Sequence, residues 1–372
     1  MKRFLSWLLL PFSWLYAAVL AGRNWLYDKG WKKSYAFGVP LVGVGNLRVG
    51  GTGKTPHVAW LVQELQSLGH RPAILSRGYG RATNGPRLAG PMDSAATVGD
   101  EPWQYFEQFG RGKVPVAVAE KRRLGASLLL HRHPEITVIV LDDAYQHRAL
   151  QPALNILLTE WERPFYADFV LPAGRLREAR VGAQRADLII VTKCPVTAST
   201  TSQRAVAAQV ARYARPGVPV LFSAYAYASP RPLTQTAATS SPLPGPALLL
   251  TGIAQPGPLR EHLQTLGYAI QYHAQLPDHH VFTPQDLAIL RSCWQPGWPV
   301  FTTTKDAARL QTPPLLAALV GLPVYAIPVA VTFLGDGAAQ LRTHLPAPDG
   351  HRVGSGVVVN LSFSGFVRNY LI

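Results

Sequence analysis

The sequence predicts an α/β fold, a mostly parallel sheet with helices on both faces, and three observations predict it. Short β-rich runs recur at 39–45, 72–76, 114–119, 137–141, 154–159 and 188–192. Stretches of helical character lie between several of them, as at 57–68 and 120–133. The first run ends in a glycine-rich turn that opens directly into a helix. Strands that alternate with helices pair as parallel neighbours, and the helices cover both faces of the sheet.

The elements follow from local chemistry. In 57–68, Val58, Leu61, Val62 and Leu65 share one helical face, and Gly69 supplies a stop. Segment 229–246 is rich in Pro, Ser and Thr and lacks periodicity, which marks a linker. A second strand–helix series follows, with runs at 247–251, 269–273 and 300–304 and a helix near 258–266. The expected organisation is an attachment segment (1–35), a main α/β domain (36–228), the linker (229–246) and a smaller α/β domain (247–372). Ligands of such sheets sit at the carboxyl ends of the strands, and the smaller domain is expected to close over that edge.

Hydrophobic residues make up 48% of the 372 and charged residues 15%, as in a folded chain with a sizeable core. The net charge is +15, so the expected partners are anionic: nucleic acid, acidic lipid or a phosphorylated substrate. There is neither a nucleic-acid-binding motif nor a long Lys/Arg tract, and nucleic acid is set aside. Two cysteines, Cys194 and Cys293, make neither a disulfide framework nor a metal cluster, in keeping with a reducing compartment.

Lys2 and Arg3 precede 18 uncharged residues, 4–21. As a helix this run would reach roughly 27 Å, slightly less than a ~30 Å hydrocarbon core. Pro11 is expected to kink it. Trp7, Trp14, Tyr16, Trp25 and Tyr27 are residues of membrane interfaces, and Arg23, Lys29, Lys32 and Lys33 suit an anionic membrane surface. We therefore expect an N-terminal membrane helix; both a spanning and an interfacial placement are compatible with the run. A cleaved signal peptide also has this pattern, but the domain that follows needs a cytoplasmic nucleotide.

That need comes from Asn46-Leu47-Arg48-Val49-Gly50-Gly51-Thr52-Gly53-Lys54-Thr55, a loop between strand and helix. Backbone N–H groups of Asn46, Gly50, Gly51, Thr52 and Gly53 can curl around phosphate oxygens, aided by the helix N-terminus. Lys54 would reach the β- and γ-phosphates, and the Thr55 hydroxyl would bind Mg²⁺. The usual pattern has a glycine five residues before Gly53, where this chain has Arg48. Asp142 and Asp143 close the run 137–141, where a P-loop protein carries its Mg²⁺-holding carboxylate. Asp100, in Gly-Asp-Glu-Pro before the helical stretch 103–109, suits either a helix cap or a catalytic carboxylate. Thr192-Lys193-Cys194-Pro195 has proline where a guanine reader carries a carboxylate, so ATP is the expected nucleotide.

The segment 46–56 resembles the variant P-loop of the lipid A tetraacyldisaccharide 4′-kinases, which also lack the early glycine. Five further segments match that family in order: Ser76-Arg77-Gly78-Tyr79-Gly80-Arg81, Gly99-Asp100-Glu101-Pro102, Asp142-Asp143-Ala144-Tyr145-Gln146-His147, Leu171-Pro172-Ala173-Gly174-Arg175-Leu176-Arg177-Glu178 and Pro277-Asp278-His279-His280. Ala144 departs from the family's glycine but removes no ligand. The resemblance implies a P-loop kinase at the cytoplasmic face of the bacterial inner membrane. It would use ATP and Mg²⁺ to phosphorylate the 4′-hydroxyl of an acylated glucosamine disaccharide 1-phosphate, with no required protein partner. It implies that Asp100 is the general base, that Lys54, Asp143 and Arg122 are catalytic, and that Asp142 and Thr55 hold the metal. His279 would support the carboxylates from the second domain, and Arg77, Tyr79, Glu101, Gln146, Arg177 and Glu178 would meet substrate. Lys305 lies in a further family-like segment. The competing reading of the same loop is a nucleotide-driven, membrane-associated switch or assembly factor.

Overall fold

The computed structural model describes residues 8–347, apart from 111, 240 and 279, and the backbone pairing of 357–358. Its main sheet has nine strands in the spatial order Val329–Phe333, Val220–Tyr227, Leu188–Thr192, Leu154–Glu160, Leu41–Asn46, Val138–Asp142, Pro72–Ser76, Val116–Val118 and Arg87–Leu88. Only the outermost pair at each edge is antiparallel. Leu41–Asn46, Val138–Asp142, Pro72–Ser76 and Leu188–Thr192 are buried along their whole length, which explains why they read as unbroken apolar runs rather than alternating ones. One face is covered by Val58, Leu61, Val62 and Leu65 of the helix Lys54–Ser67, with Trp103 and Phe106 beside them. The other face carries Ala126 and Leu129 of the helix Arg122–Arg132.

The register positions the site. Leu41–Asn46 lies in the middle of the sheet, with Val44 paired to Asp142 on one side and Asn46 to Leu158 on the other. The glycine-rich loop and the Asp142-Asp143 pair therefore emerge at the same edge.

The second sheet has five strands in the order Arg231–Pro232, Val324–Ile327, Val300–Thr303, Gly245–Thr251 and Tyr268–Gln275, all parallel except the first. The sequence placed everything after 247 in this smaller unit, and pairing corrects that. Val329–Phe333 returns to the main sheet, antiparallel to Val220–Tyr227. Its Phe333 packs edge-on against Trp60 at 4.8 Å, and Arg342 on the following helix, Gly337–His344, pairs with Glu64 at 2.6 Å. The segment expected as linker holds a two-residue strand and a short helix, Gln235–Ala238.

The N-terminal helix runs from Leu10 to Asp28 and lies against the main domain. Pro11 stands in its first turn, just after a one-residue break at Leu9, the place where a missing N–H costs nothing. Among the described residues no helix is long and apolar enough to cross a membrane. The side facing the protein is polar. Ser13 donates to the Val170 carbonyl (2.9 Å), Arg23 to the Gln146 carbonyl (2.8 Å) and Asn24 to Glu178 (3.2 Å). The opposite side is apolar and bare, with Phe12, Trp14, Leu15 and Val19 each 63–68% exposed. This is the inverse of an ordinary surface helix.

Candidate active site

The strand Leu41–Asn46 delivers the chain to a loop that turns on Gly50 (φ 115°) and Gly53 (φ 88°) before the helix begins at Lys54. At Gly53 the need for glycine is twofold: the backbone is left-handed, and a Cβ would stand 2.6 Å from the Tyr225 hydroxyl. Asn46 Nδ2 donates to Thr52 Oγ1 at 2.5 Å, Thr192 Oγ1 to the Thr52 carbonyl at 2.9 Å, and Gln146 Nε2 to the Asn46 carbonyl at 2.8 Å. Neighbouring strand ends thus tie the loop down. Arg48, the residue in the unusual position, is an anchor: it pairs with Asp168 at 2.8 Å and with Glu160 at 3.5 Å.

Beside this loop stand the two aspartates, in different states. Asp143 has a left-handed backbone (φ 49°), and its two oxygens accept from Arg177 Nη1 at 2.9 Å each, with Lys54 Nζ 3.7 Å away. Burial pushes its carboxyl up, but the Lys54 and Arg177 charges outweigh this and hold it below the usual carboxylate range. Asp142 is pushed up to about 7 by burial, with the Glu101 and Asp143 charges adding to it against Lys54 and Ser76. Its Oδ2 accepts from Ser76 Oγ at 3.1 Å, while Oδ1 is buried with no hydrogen-bond partner. A buried carboxylate oxygen without a donor fits a divalent cation. Among the described residues no group of three His, Cys, Asp or Glu forms a metal cluster. A Mg²⁺ ion would therefore rest on Asp142 and Thr55 together with phosphate and water oxygens, the usual share of protein ligands for this ion.

Asp142 makes a pH prediction. Its folded-state affinity for a proton exceeds the unfolded one, so folding takes up a proton between pH ~4 and about 7. Without cation, the Asp142 contribution to stability should fall as pH rises through that window, by at most ~1.4 kcal/mol per pH unit. Asp142→Asn removes the charge and should flatten that dependence in thermal melts. Melts of equal slope for the two proteins would contradict the assignment.

Arg122 is buried behind the pair, with Nη1 donating to the Ala119 carbonyl at 2.8 Å and Nη2 to the Asp142 carbonyl at 3.4 Å. Its Nε has no partner. Burial pulls it down to about 10, against the Asp142 and Asp143 charges, so it stays a cation. Asp100 is the first residue of the helix Asp100–Gln108. The turn at Gly78 packs on Gly99, where a Cβ would lie 3.1 Å from the Gly78 Cα, and Arg77 and Tyr79 on either side of Gly78 are exposed. Glu101 follows, near enough to act on Asp142.

One expectation reads differently in the fold. Glu178 is turned inward and shared among Arg185 (2.7 Å), Gln146 (3.0 Å) and Asn24 (3.2 Å), so it organises Gln146 from within the protein. His279 lies outside the described residues; His280 bonds Asp286 at 2.9 Å inside the second domain. Lys305 pairs with Asp278 at 3.1 Å.

Three residues to which the sequence assigns no role stand at the site. Ser76 holds Asp142. Tyr105 is fully buried among groups that include Thr55 and Asp142, and its hydroxyl has no hydrogen bond of ordinary geometry. Arg309 reaches Asp100 from the second domain, with Nη2 2.6 Å from Oδ2. Only the fold brings Tyr105 and Arg309 to the site, since neither belongs to a local motif.

A glycine loop opening into a helix, with a cation-ready carboxylate at the adjoining strand end, makes this chain a P-loop nucleotide-binding protein of the phosphoryl-transfer kind. The family model described as Tetraacyldisaccharide-1-P 4'-kinase matches residues 5–346. The chain is 39% identical over 343 residues to the tetraacyldisaccharide 4'-kinase of Cytophaga hutchinsonii, covering 91% of this chain and 95% of the relative. It is 38% identical over 354 residues to the enzyme of that name from Bacteroides thetaiotaomicron, covering 91% of each. Its fold is similar to a crystal structure of LpxK from Aquifex aeolicus in complex with ATP, with a TM-score of 0.69 and 28% identity, covering 91% of this chain and 98% of that one. The chain belongs to the tetraacyldisaccharide 4′-kinase family, whose members are ATP-dependent kinases.

Proposed function

We propose that the chain transfers the γ-phosphoryl group of ATP to the 4′-hydroxyl of an acylated glucosamine disaccharide 1-phosphate, as a step of lipid A assembly. The observation that carries this reading is the convergence of Lys54, the Asp142-Asp143 pair and the Asp100-Glu101 helix start at one edge of the main sheet. The loop binds the triphosphate, and Lys54 and Arg122 offset charge that gathers on the transferred oxygens. Asp142 and Thr55 would hold a Mg²⁺ ion, which would supply positive charge against the phosphates. Asp143, kept ionised by Lys54 and Arg177, holds Lys54 in place. Asp100 takes the proton of the attacking hydroxyl, while Arg77 and Tyr79 line the acceptor's approach. Two acceptors test the assignment. The natural disaccharide should gain one phosphate, seen by mass spectrometry, and a 4′-deoxy analogue should gain none. Equal phosphorylation of both would reject the assigned position.

The bare apolar face of the N-terminal helix, with Lys29, Lys32 and Lys33 beyond it, supports attachment in the plane of an anionic cytoplasmic leaflet. Each large apolar side chain buried in the interface contributes about 1.5–3 kcal/mol. The double change Trp14→Asp and Leu15→Asp should therefore weaken flotation with anionic vesicles at least about tenfold. Unchanged flotation would remove the helix from the attachment surface.

A further inference from the structure

The helices Asp100–Gln108 and Thr304–Leu310 face each other across the junction of the two domains, and Arg309 is the side chain that crosses it to Asp100. Its Nε and Nη2 both donate to Asp100 Oδ2, at 2.8 and 2.6 Å. Nη1 points back into the second domain and donates to the Gly252 carbonyl and to Asp306 Oδ1, each at 3.1 Å. Asp306 is fully buried, and its Oδ2 accepts from the Gly252 N–H at 3.0 Å and from Thr303 Oγ1 at 2.7 Å. A Cβ at Gly252 would stand 3.1 Å from Asp306 Oδ1 and 3.4 Å from the Phe282 ring, so the frame leaves little room there. Gln104 donates to Thr304 Oγ1 at 3.2 Å across the same junction.

The guanidinium is thus gripped from behind by the second domain and offers its other edge to the first. Two donors on one oxygen fix the rotation of a carboxylate, and the Arg309 side chain is only 8% exposed, so water competes little for it. Because both rear anchors belong to the second domain, moving that domain away would carry Arg309 off Asp100.

We propose that Arg309 is a positioning residue for phosphoryl transfer: seated with the second domain, it orients the Asp100 carboxylate for the acceptor hydroxyl. The proposal rests on reading Asp100 as the general base. Displacing a catalytic group by about 1 Å can cost ~10²-fold, so R309M should lower kcat by roughly 10- to 100-fold. The KM for ATP should stay near the wild-type value, because the loop is untouched. The decisive measurement is a double-mutant cycle of R309M and D100N, read as label transferred to lipid in single turnovers. If Arg309 acts through Asp100, R309M should cost less than about twofold in the D100N background. An equal cost in both backgrounds would overturn the proposal by making Arg309 a structural tie. So would an R309M rate near wild type beside a collapsed D100N. A D100N rate near wild type would instead overturn the base reading, and the proposal with it. Should R309M lose cooperative unfolding, R309K carries the same cycle, since lysine keeps the charge but lacks the planar two-donor fork.

Discussion

Lys54→Ala is expected to lower kcat/KM for lipid phosphorylation by about 10²–10³-fold, the usual cost of removing one preorganised charge from a transition state. The structure adds a second effect. Lys54 lies 3.7 Å from Asp143, helps hold that carboxyl ionised, and counters the rise of Asp142. Without it, Asp142 should keep its proton to higher pH and bind Mg²⁺ less readily. The defect should therefore deepen on going from pH 8 to pH 6, and raised Mg²⁺ should lessen it. Steady-state rates at two pH values and two Mg²⁺ concentrations decide this. A loss independent of both would confine Lys54 to direct phosphate contact.

Asp100→Asn is expected to lower kcat by about 10²–10⁴-fold, the range for a positioned general base, and to leave the KM for ATP nearly unchanged. The substitution keeps the shape and still offers Arg309 a carbonyl oxygen, so the domain junction should survive. A loss below about tenfold would contradict the role of base and return Asp100 to a helix-start residue. Phosphoryl transfer has a loose transition state, so Lys54, Arg122 and a bound metal should carry a share that Asp100 does not.

Much of the site was legible because its parts are local in sequence. The glycine loop, the aspartate pair and Gly-Asp-Glu-Pro each need only neighbouring residues to announce a backbone shape or a charge. The central strands were legible for a similar reason: burial on both faces leaves continuous apolar runs. What depended on distant partners was not. Val329–Phe333 is a five-residue strand at the sheet edge, and nothing in its own residues names Val220–Tyr227 as its partner. Arg48 stands where the usual loop has glycine, and its partners Asp168 and Glu160 lie more than a hundred residues further along the chain. The Arg309–Asp100 pair joins residues 209 positions apart. The N-terminal helix showed its apolar content in sequence, but which side would be bare followed from Ser13, Arg23 and Asn24 finding partners on the main domain.

The measurement closest to the central claim is a transfer assay with γ-labelled ATP, Mg²⁺ and detergent-dispersed acylated disaccharide 1-phosphate, counting label on lipid and label released as inorganic phosphate. One label should reach lipid for each ATP consumed, little should appear as inorganic phosphate, and the transfer to lipid should collapse for Lys54→Ala. ATP consumed with the label appearing only as inorganic phosphate would contradict it and would make this chain a nucleotide-driven switch.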